Sequence, residues 1–298
     1  MELRSWSLIL LLGFLWGSSF LFVELLLEAL TPFSIVYLRV LIASLIFLVL
    51  LIIIRPRFQL TKGVILSLFF MAILNNILPF LLIAIGQQST TGSLASILNA
   101  NTSLLTILMA SILIPSEKLS INRLVGVVVG VLGVIIAVGF ESLFDFYDGR
   151  SGKYLILAAT VSYAFAGIWG RIKLSQVPPI ISASGMLIMS TVVMTPFAFF
   201  YRSEEIMGLS LNIFVLATAF ALLCSVAAYF IYFKILKGTG AGNLLLCTII
   251  IPPSAIILNA IFLGEAISYS ELFGLLLIVF GLLILDGRVL ETILGQRL

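Results

Sequence analysis

Long apolar runs alternate with short polar breaks along the whole chain. The breaks carry turn-forming sequences such as Thr31-Pro32, Arg55-Pro56-Arg57 and Gly238-Thr239-Gly240. Runs of about 20 apolar residues satisfy their backbone hydrogen bonds internally as helices, whereas the strands of a membrane barrel are about 10 residues long and alternate in polarity. The pattern predicts ten membrane-spanning helices, at 5–27, 34–54, 62–88, 91–115, 121–139, 152–172, 178–201, 211–236, 240–262 and 269–289.

A second pattern relates the two ends of the chain. Thr91-Gly92 recurs as Thr239-Gly240, and Glu117 recurs as Glu265, each 148 residues later. A long internal period indicates that a chain is built from similar units. The same offset relates further positions: Ser120 to Ser268, Gly126 to Gly274, Gly133 to Gly281 and Gly139 to Gly287.

An odd number of spans in each half decides the predicted topology. Two similar halves with five spans each enter the membrane from opposite sides, which is an inverted-topology repeat. We therefore expect an all-α integral membrane protein with ten transmembrane helices. Residues 1–140 form its first five-helix repeat, 141–151 an external connection, and 152–298 the second repeat with a short cytoplasmic tail.

Composition and charge agree with a membrane protein. Hydrophobic residues make up 62% of the chain and charged residues 10%, where soluble domains have about 25% charged. Threading the predicted spans places 12 of the 16 Lys and Arg residues on the side of the N-terminus. The positive-inside rule then puts both termini in the cytoplasm, with the protein in the inner (plasma) membrane. We interpret the N-terminal apolar run as a retained first span, since it is long and lacks a small-residue cleavage site.

The residue types also limit the chemistry. The chain has no His, which removes the usual proton shuttle and the commonest metal ligand. Cys224 and Cys247 fall inside apolar spans and are interpreted as small hydrophobic residues rather than a disulfide or metal site. With a single acid inside a span, a membrane enzyme has no evident catalytic set. We expect no enzyme activity, no cofactor and no nucleic-acid partner.

Short motifs give the chain a family resemblance. Leu15-Trp16-Gly17-Ser18 lies in span 1, and Leu263-Gly264-Glu265 follows span 9, with Gly274 and Gly281 in span 10. With the 5+5 repeat, these motifs resemble the EamA family of the drug/metabolite transporter superfamily. The resemblance implies export or exchange of a small metabolite, often an amino acid, from a cavity lined by spans 1, 3, 4, 6, 8 and 9. The family often has a Pro thirteen residues before each repeated Glu. Pro252 holds this position before Glu265, whereas Leu104 occupies the corresponding position before Glu117.

Polar side chains at membrane depth are costly, so each one is a candidate for the transport path. Span 3 carries Asn75 and Asn76 near its middle, followed by Pro79. Because proline lacks an N–H, Pro79 is expected to free the carbonyl of Asn75. The three residues are predicted to line the cavity, with helix–helix bridging by the amides as the alternative.

Spans 4 and 9 occupy matching places in the two halves but differ in polar content. Asn99, Asn101 and Thr102 are predicted to face the path from span 4. Thr248 and Pro252 are the matching candidates in span 9, where Pro252 and the adjacent proline are expected to kink the helix and expose carbonyls.

Three aromatic residues at mid-depth are predicted to bind the substrate. Trp16 and Tyr163 lie at the centres of spans 1 and 6, away from the interface where Trp usually sits. Tyr229 in span 8 is a candidate of the same type. Packing against neighbouring helices is the alternative, since aromatic rings dominate apolar contacts.

Two groups of residues receive other roles. Glu24 and Arg39, near the outer ends of spans 1 and 2, are predicted to form an ion pair, either as a gate or as a structural clasp. Glu117 and Glu265 are predicted to cap helix N-termini, and Ser268-x-x-Glu271 fits a capping box. The repeated glycines are expected to allow close helix packing: Gly126, Gly133, Gly274 and Gly281.

These candidates narrow the function by elimination. A phosphate carrier would want cavity Lys or Arg, and Arg39 is interpreted as peripheral. The sequence therefore predicts a secondary transporter that exports or exchanges a small neutral or zwitterionic metabolite by alternating access, above all an amino acid with an apolar or aromatic side chain. A multidrug or cation exporter with Glu24 as proton-coupling residue stays open, as does a structural membrane protein. The expected partners are the solute, the lipid bilayer and a proton as coupling ion.

Overall fold

The computed structural model describes residues 3–114, 121–140, 152–239 and 246–286, and these ranges are helical without any strand. One of the helices, Ser203–Met207, is only a single turn long. The longer helices are α1 (Leu3–Leu27), α2 (Pro32–Ile54), α3 (Lys62–Gln87), α4 (Gly92–Leu113), α5 (Ile121–Val138), α6 (Gly152–Lys173), α7 (Pro179–Tyr201), α8 (the consecutive segments Leu211–Ala221, Leu222–Ala227 and Ala228–Thr239), α9 (Leu246–Leu263) and α10 (Tyr269–Asp286).

Length and composition separate these helices into two groups. Eight of the described helices, α1–α4 and α6–α9, are long and apolar enough to cross a membrane. The apolar parts of α5 and α10 are shorter, at Leu124–Val138 and Tyr269–Ile284. The sequence predicted ten spans of similar length. The described structure has eight long apolar helices and two shorter ones at these places.

The outside of the bundle is apolar. Ile53 in α2 and Phe200 in α7 expose 70% and 76% of their surface, and many other large apolar side chains are similarly exposed. A continuous apolar exterior would associate in water, but it matches the hydrocarbon of a bilayer. The chain is a multi-pass membrane protein.

Side-chain caps explain where several helices begin. The Ser268-x-x-Glu271 sequence forms the predicted capping box: Ser268 N–H donates to Glu271 Oε2 at 2.8 Å, and Glu271 N–H donates to Ser268 Oγ at 3.2 Å. The other caps are hydroxyls that accept from the N–H three residues on, in Thr61 for α3, Thr91 for α4 and Ser210 for α8.

Two helices contain a π-helical turn in their middle. Ala72–Ile77 interrupts α3, and Leu222–Ala227 interrupts α8 at nearly the same place in the second half. Such turns are rare and often lie at functional sites, because they alter the register of backbone bonds and re-aim side chains. Both turns lie next to the candidate site described below.

Small residues set the closest helix contacts. The most extensive packing joins α5 to α10, and α1 also packs closely on α9. A Cβ atom on Gly133 would lie 2.7 Å from the carbonyl of Gly274, and one on Gly281 would lie 2.6 Å from that of Gly126. These four glycines therefore let the α5 and α10 backbones touch, as in close helix pairs of membranes generally.

The Trp-Gly-Ser motif of α1 serves a similar contact. A Cβ atom on Gly17 would lie 2.7 Å from the Ile251 carbonyl and from Ser254 Cβ of α9. One turn earlier, a Cβ atom on Gly13 would lie 2.6 Å from the side chain of Ile250. Close approach of α1 to α9 holds the neighbouring Trp16 at a fixed place beside the interior.

Candidate functional site

Arg39 is a buried cation in the interior of the bundle. It lies seven residues after the start of α2, about 10 Å along the helix, and only 8% of its surface is exposed. Its Nε donates to Ser225 Oγ at 3.0 Å and its Nη2 to the Cys224 carbonyl at 3.2 Å. Its Cζ lies 3.9 Å from the ring centre of Phe80 and 4.6 Å from that of Phe220. The guanidinium is therefore held in one position between two aromatic rings.

The predicted ion pair between Arg39 and Glu24 is wrong. Arg39 bonds to the π-helical turn of α8, and Glu24 Oε2 accepts from Gln87 Nε2 at 3.3 Å. The reason is depth, because Glu24 lies within one turn of the end of α1 whereas Arg39 lies about two turns inside α2.

The charge of Arg39 has no carboxylate partner within the described part of the chain. The phenol groups of Tyr163 and Tyr229 lie near enough to interact with it electrostatically. Guanidinium has five N–H donors, and two take protein acceptors here. A buried guanidinium with unused donors is suited to an anionic group, above all a carboxylate.

Asn75 and Asn76 separate into two roles. Asn75 is half-buried, and its amide nitrogen lies 3.4 Å from Tyr229 Oη and 3.6 Å from Met186 Sδ. Asn76 is fully buried and donates to Ser190 Oγ of α7 at 3.1 Å. Asn75 therefore lies with the tyrosine beside Arg39, whereas Asn76 bridges two helices.

The carbonyl that Pro79 leaves free belongs to Leu74, whereas the sequence had indicated Asn75. Within a π-helical turn the backbone bonds join residues five apart, so the acceptor opposite Pro79 moves back by one residue. Ser162 Oγ of α6 donates to the Leu74 carbonyl at 2.8 Å. The freed group thus fixes α6 against α3.

Replacement of Ser162 by Ala is expected to destabilise this junction. The Leu74 carbonyl would lose its donor in the interior, which costs about 1–3 kcal/mol. We expect a lower melting temperature for the purified protein in detergent. Ser184→Ala is the matched control, because Ser184 is equally buried but bonds only within its own helix, to the Ile180 carbonyl. Equal melting temperatures for the two variants would contradict this role.

The predicted aromatic residues lie in two adjoining groups. Trp16 lies 6.0 Å from Tyr232, which lies 6.5 Å from Tyr229, measured between ring centres. Tyr163 lies 6.4 Å from Phe80, the ring that stacks on Arg39. Trp16, Tyr163 and Tyr229 are each half-buried. The first group thus joins α1 to α8, and the second joins α6 to α3.

The polar residues of α4 keep unused hydrogen-bonding groups. Asn99 Oδ1, Asn101 Oδ1 and Thr102 Oγ1 are buried and have no partner within the described residues. The helix is interrupted at Ala100, so Asn99 and Asn101 belong to different segments. Orphan acceptors of this kind are costly unless something meets them.

The matching residues of α9 lie against α4 and α1. Ser103 Oγ donates to Thr248 Oγ1 at 3.3 Å, which links α4 to α9. Pro252 is buried within α9, directly after the Ile251 carbonyl that faces Gly17.

Glu265 caps a helix of the other half. Its carboxylate accepts from Gly92 N–H and Ser93 N–H, each at 3.2 Å, and from Ser93 Oγ at 2.5 Å. These groups form the N-terminus of α4, whereas α10 is capped by its own Ser268 and Glu271. Glu117 lies outside the described residues.

Several residues of the interior are absent from the sequence predictions. Ser225 and Ser162 look like ordinary small residues of apolar helices, and only the π-helical turns give them special partners. Gln87 and Asn259 are amides near the ends of apolar spans, which is a signal that could have been used. Among the described residues no group of three or more His, Cys, Asp and Glu could hold a metal ion, and both cysteines are free and buried.

The chain matches known proteins over almost its whole length. It is 25% identical over 277 residues to the uncharacterized transporter YetK of Bacillus subtilis (strain 168), covering 90% of this chain and 82% of that one. It is 22% identical over 285 residues to an uncharacterized transporter of Archaeoglobus fulgidus, covering 95% and 98%. A solved crystal structure with 15% sequence identity aligns with a TM-score of 0.69 over 99% of this chain and 100% of that one, so its fold is similar.

A family model matches the chain twice, once in each half. The model is that of the EamA-like transporter family, and it covers residues 4–139 and 150–285. Both matches include helices that contribute to the interior around Arg39, Asn75, Tyr163 and Tyr229. The chain belongs to the EamA-like transporter family.

Proposed function

We propose that this transporter exports or exchanges a small zwitterionic metabolite that carries a carboxylate, and that its substrate is an amino acid with an apolar or aromatic side chain. The observation that carries the proposal is the Arg39 guanidinium, which is buried, held in place and without a carboxylate partner in the described part of the chain. The sequence placed Arg39 at the periphery, but its side chain lies in the interior.

The neighbours of Arg39 suit such a substrate. Its unused N–H donors can meet a carboxylate in the two-point geometry that guanidinium favours. Asn75 and the Tyr229 hydroxyl offer polar groups beside it. The faces of Trp16 and Tyr232 supply an apolar surface for the side chain. Each element of a zwitterionic amino acid thus has a partner of suitable chemistry.

Alternating access between two inverted halves is the proposed mechanism. The double match of the family model and the two π-helical turns at corresponding places support a division into two similar halves. Helix contacts also follow this relation, since α1 packs on α9 as α6 packs on α4. The proposal includes ten membrane spans in the inner membrane. Both termini are assigned to the cytoplasmic side, because Lys and Arg are concentrated in the segments on that side.

The alternative of a cation exporter has less support. A cationic drug would meet the positive charge of Arg39 in the same interior, and like charges repel strongly where water is excluded. Glu24 lies at one end of the bundle with Gln87 and Glu265, away from the aromatic groups. A purely structural role would not account for a buried positive charge that has no carboxylate partner among the described residues.

Counterflow in proteoliposomes tests the proposed function. Vesicles with the purified protein are loaded with one unlabelled amino acid, and uptake of the same labelled amino acid is followed without any ion gradient. We expect apolar or aromatic amino acids to exchange, and their decarboxylated amines to fail. Inorganic phosphate and organic acids without an amino group complete the panel. If none of the amino acids exchanges, the proposal is wrong. Exchange of phosphate alone would identify the protein as a phosphate carrier instead.

A further inference from the structure

Helices of both halves meet at one end of the bundle around Gly92, the first residue of α4. Glu265, in the connection after α9, accepts hydrogen bonds from the N–H groups of Gly92 and Ser93 and from the Ser93 hydroxyl. Three donors around one carboxylate, at a helix N-terminus, hold its negative charge in place. Glu265 is therefore a fixed charge where the halves join.

The carboxyl group of Glu24 on α1 lies against the same glycine. A Cβ atom on Gly92 would lie 2.5 Å from Glu24 Oε2, so a larger residue would block this approach. Glu24 Oε2 accepts from Gln87 Nε2 at 3.3 Å, and Glu265 Oε1 accepts from the N–H of the same Gly92 at 3.2 Å. Two carboxyl groups from the two halves of the chain thus lie against one glycine.

Two neighbouring carboxyl groups can hydrogen-bond to each other only if they share a proton, because an ionised carboxylate has only acceptors. Two adjacent negative charges repel each other, so one proton shared between the two carboxyl groups stabilises their close approach. Among the described residues, the other charged groups near this end include Glu28, exposed just after α1, Lys153, buried at the start of α6, and Glu205, which accepts from Thr31. The other described side chains against the pair are neutral, with Gln87 from α3, Ser93 from α4 and Asn259 from α9.

Asn259 is an independent observation at the carboxyl pair. It is fully buried, and neither its Nδ2 nor its Oδ1 has a partner in the described residues. A Cβ atom on Gly92 would touch both this Nδ2 and Glu24 Oε2, so the amide and the carboxyl group flank the same glycine. An unsatisfied buried amide costs about 1–3 kcal/mol. A donor in this place can receive a carboxylate, which is the form of Glu24 after its proton leaves.

We propose that Glu24 and Glu265 form a proton-binding site that holds one proton when this end of the bundle is closed, with Asn259 as the donor that receives Glu24 after deprotonation. The inference rests on the proposed function, because it makes the proton the coupling ion of that transport. When α1 and α4 separate, the Glu24 proton passes to water at the opened end. Closure requires that a proton be taken up again, since two carboxylates would otherwise be forced into contact.

Infrared spectroscopy of the purified protein tests the site without reference to transport. We expect the carbonyl stretch of a protonated carboxyl group at neutral pH, with loss of the band at alkaline pH. Glu24→Gln and Glu265→Gln should each remove the band, because each retains the shape but eliminates the shared proton. Glu28→Gln is the matched control, one turn further along the chain from Glu24, and should keep it. Absence of the band in the wild type, or its presence in both site variants, would overturn the proposal.

Transport measurements then separate the two proposals. Glu24→Gln is expected to lose accumulation driven by a pH gradient while retaining counterflow, and Glu28→Gln should retain both. Gradient-driven accumulation by Glu24→Gln, or accumulation that depends on sodium instead of pH, would contradict the proton site. If the wild type exchanges no amino acid at all, the proposed substrate fails, whereas the infrared band still decides whether the proton site exists.

Discussion

Replacement of Arg39 by Gln is expected to lower the apparent affinity for a carboxylate-bearing substrate by roughly 30-fold or more. Loss of a buried, hydrogen-bonded charge partner costs about 2–5 kcal/mol, and each 1.4 kcal/mol corresponds to a factor of about ten. The glutamine amide of this variant could still donate to Ser225 or to the Cys224 carbonyl, so the contact with α8 is retained in part. The measurement is the concentration dependence of counterflow.

The sharper readout for Arg39 is selectivity rather than affinity. The wild type should prefer an amino acid to its carboxamide, whereas Arg39→Gln should lose this preference. Arg39→Lys keeps the charge but not the planar pair of donors, so an intermediate preference is expected. Equal selectivity in the wild type and Arg39→Gln, with both proteins folded, would show that the guanidinium does not bind the carboxylate.

Replacement of Gly274 by Ala is expected to lower the stability of the folded protein by about 1–3 kcal/mol, because the added methyl group overpacks the contact of α5 with α10. A Cβ atom there would lie 2.6 Å from Ala137 Cβ and 2.6 Å from the Gly133 carbonyl. Since a backbone atom cannot turn aside as a flexible side chain does, the helices must separate. The melting temperature in detergent should fall by several degrees.

Gly167→Ala is the control for the Gly274 variant. Gly167 lies within α6, and the nearest atom to an added Cβ would be Thr106 Cγ2 at 3.5 Å, an ordinary contact. Alanine also favours the helix relative to glycine by about 1 kcal/mol. Unchanged or higher stability is therefore expected for Gly167→Ala, and a similar loss in both variants would contradict packing as the cause.

The surroundings of Arg39 show how far sequence reasoning reaches for a membrane interior. Arg39 and Asn75 could be identified from the sequence, because polar residues in apolar spans are rare and expensive. Their partners could not be identified in the same way. Arg39 meets Ser225 and Phe220, which lie in the other half of the chain, and its distance from Glu24 depends on where α2 begins. The sequence indicates that a charge is buried, but not what surrounds it.

Backbone register limited the prediction for Pro79. A proline in a regular α-helix frees the carbonyl four residues earlier, and the sequence contains no clear sign of a π-helical turn. The turn Ala72–Ile77 shifts the freed group to Leu74 and makes Ser162 its partner. The register depends on how α3 packs against α6 and α7, so neighbouring residues alone could not reveal it.

The sequence by itself determined the membrane class, the transporter family resemblance, the repeated glycines and the set of unusual polar residues. Apolar run length and residue type carry that information locally, because the bilayer imposes the same requirement on every span. Only the tertiary structure decided that Glu265 caps α4 of the other half beside Glu24, and that Arg39 lies between two aromatic rings. Those contacts join residues far apart in the chain, and helix packing alone brings them together. The repeated Glu that first stood out in the sequence is therefore both a cap and half of the proposed proton site.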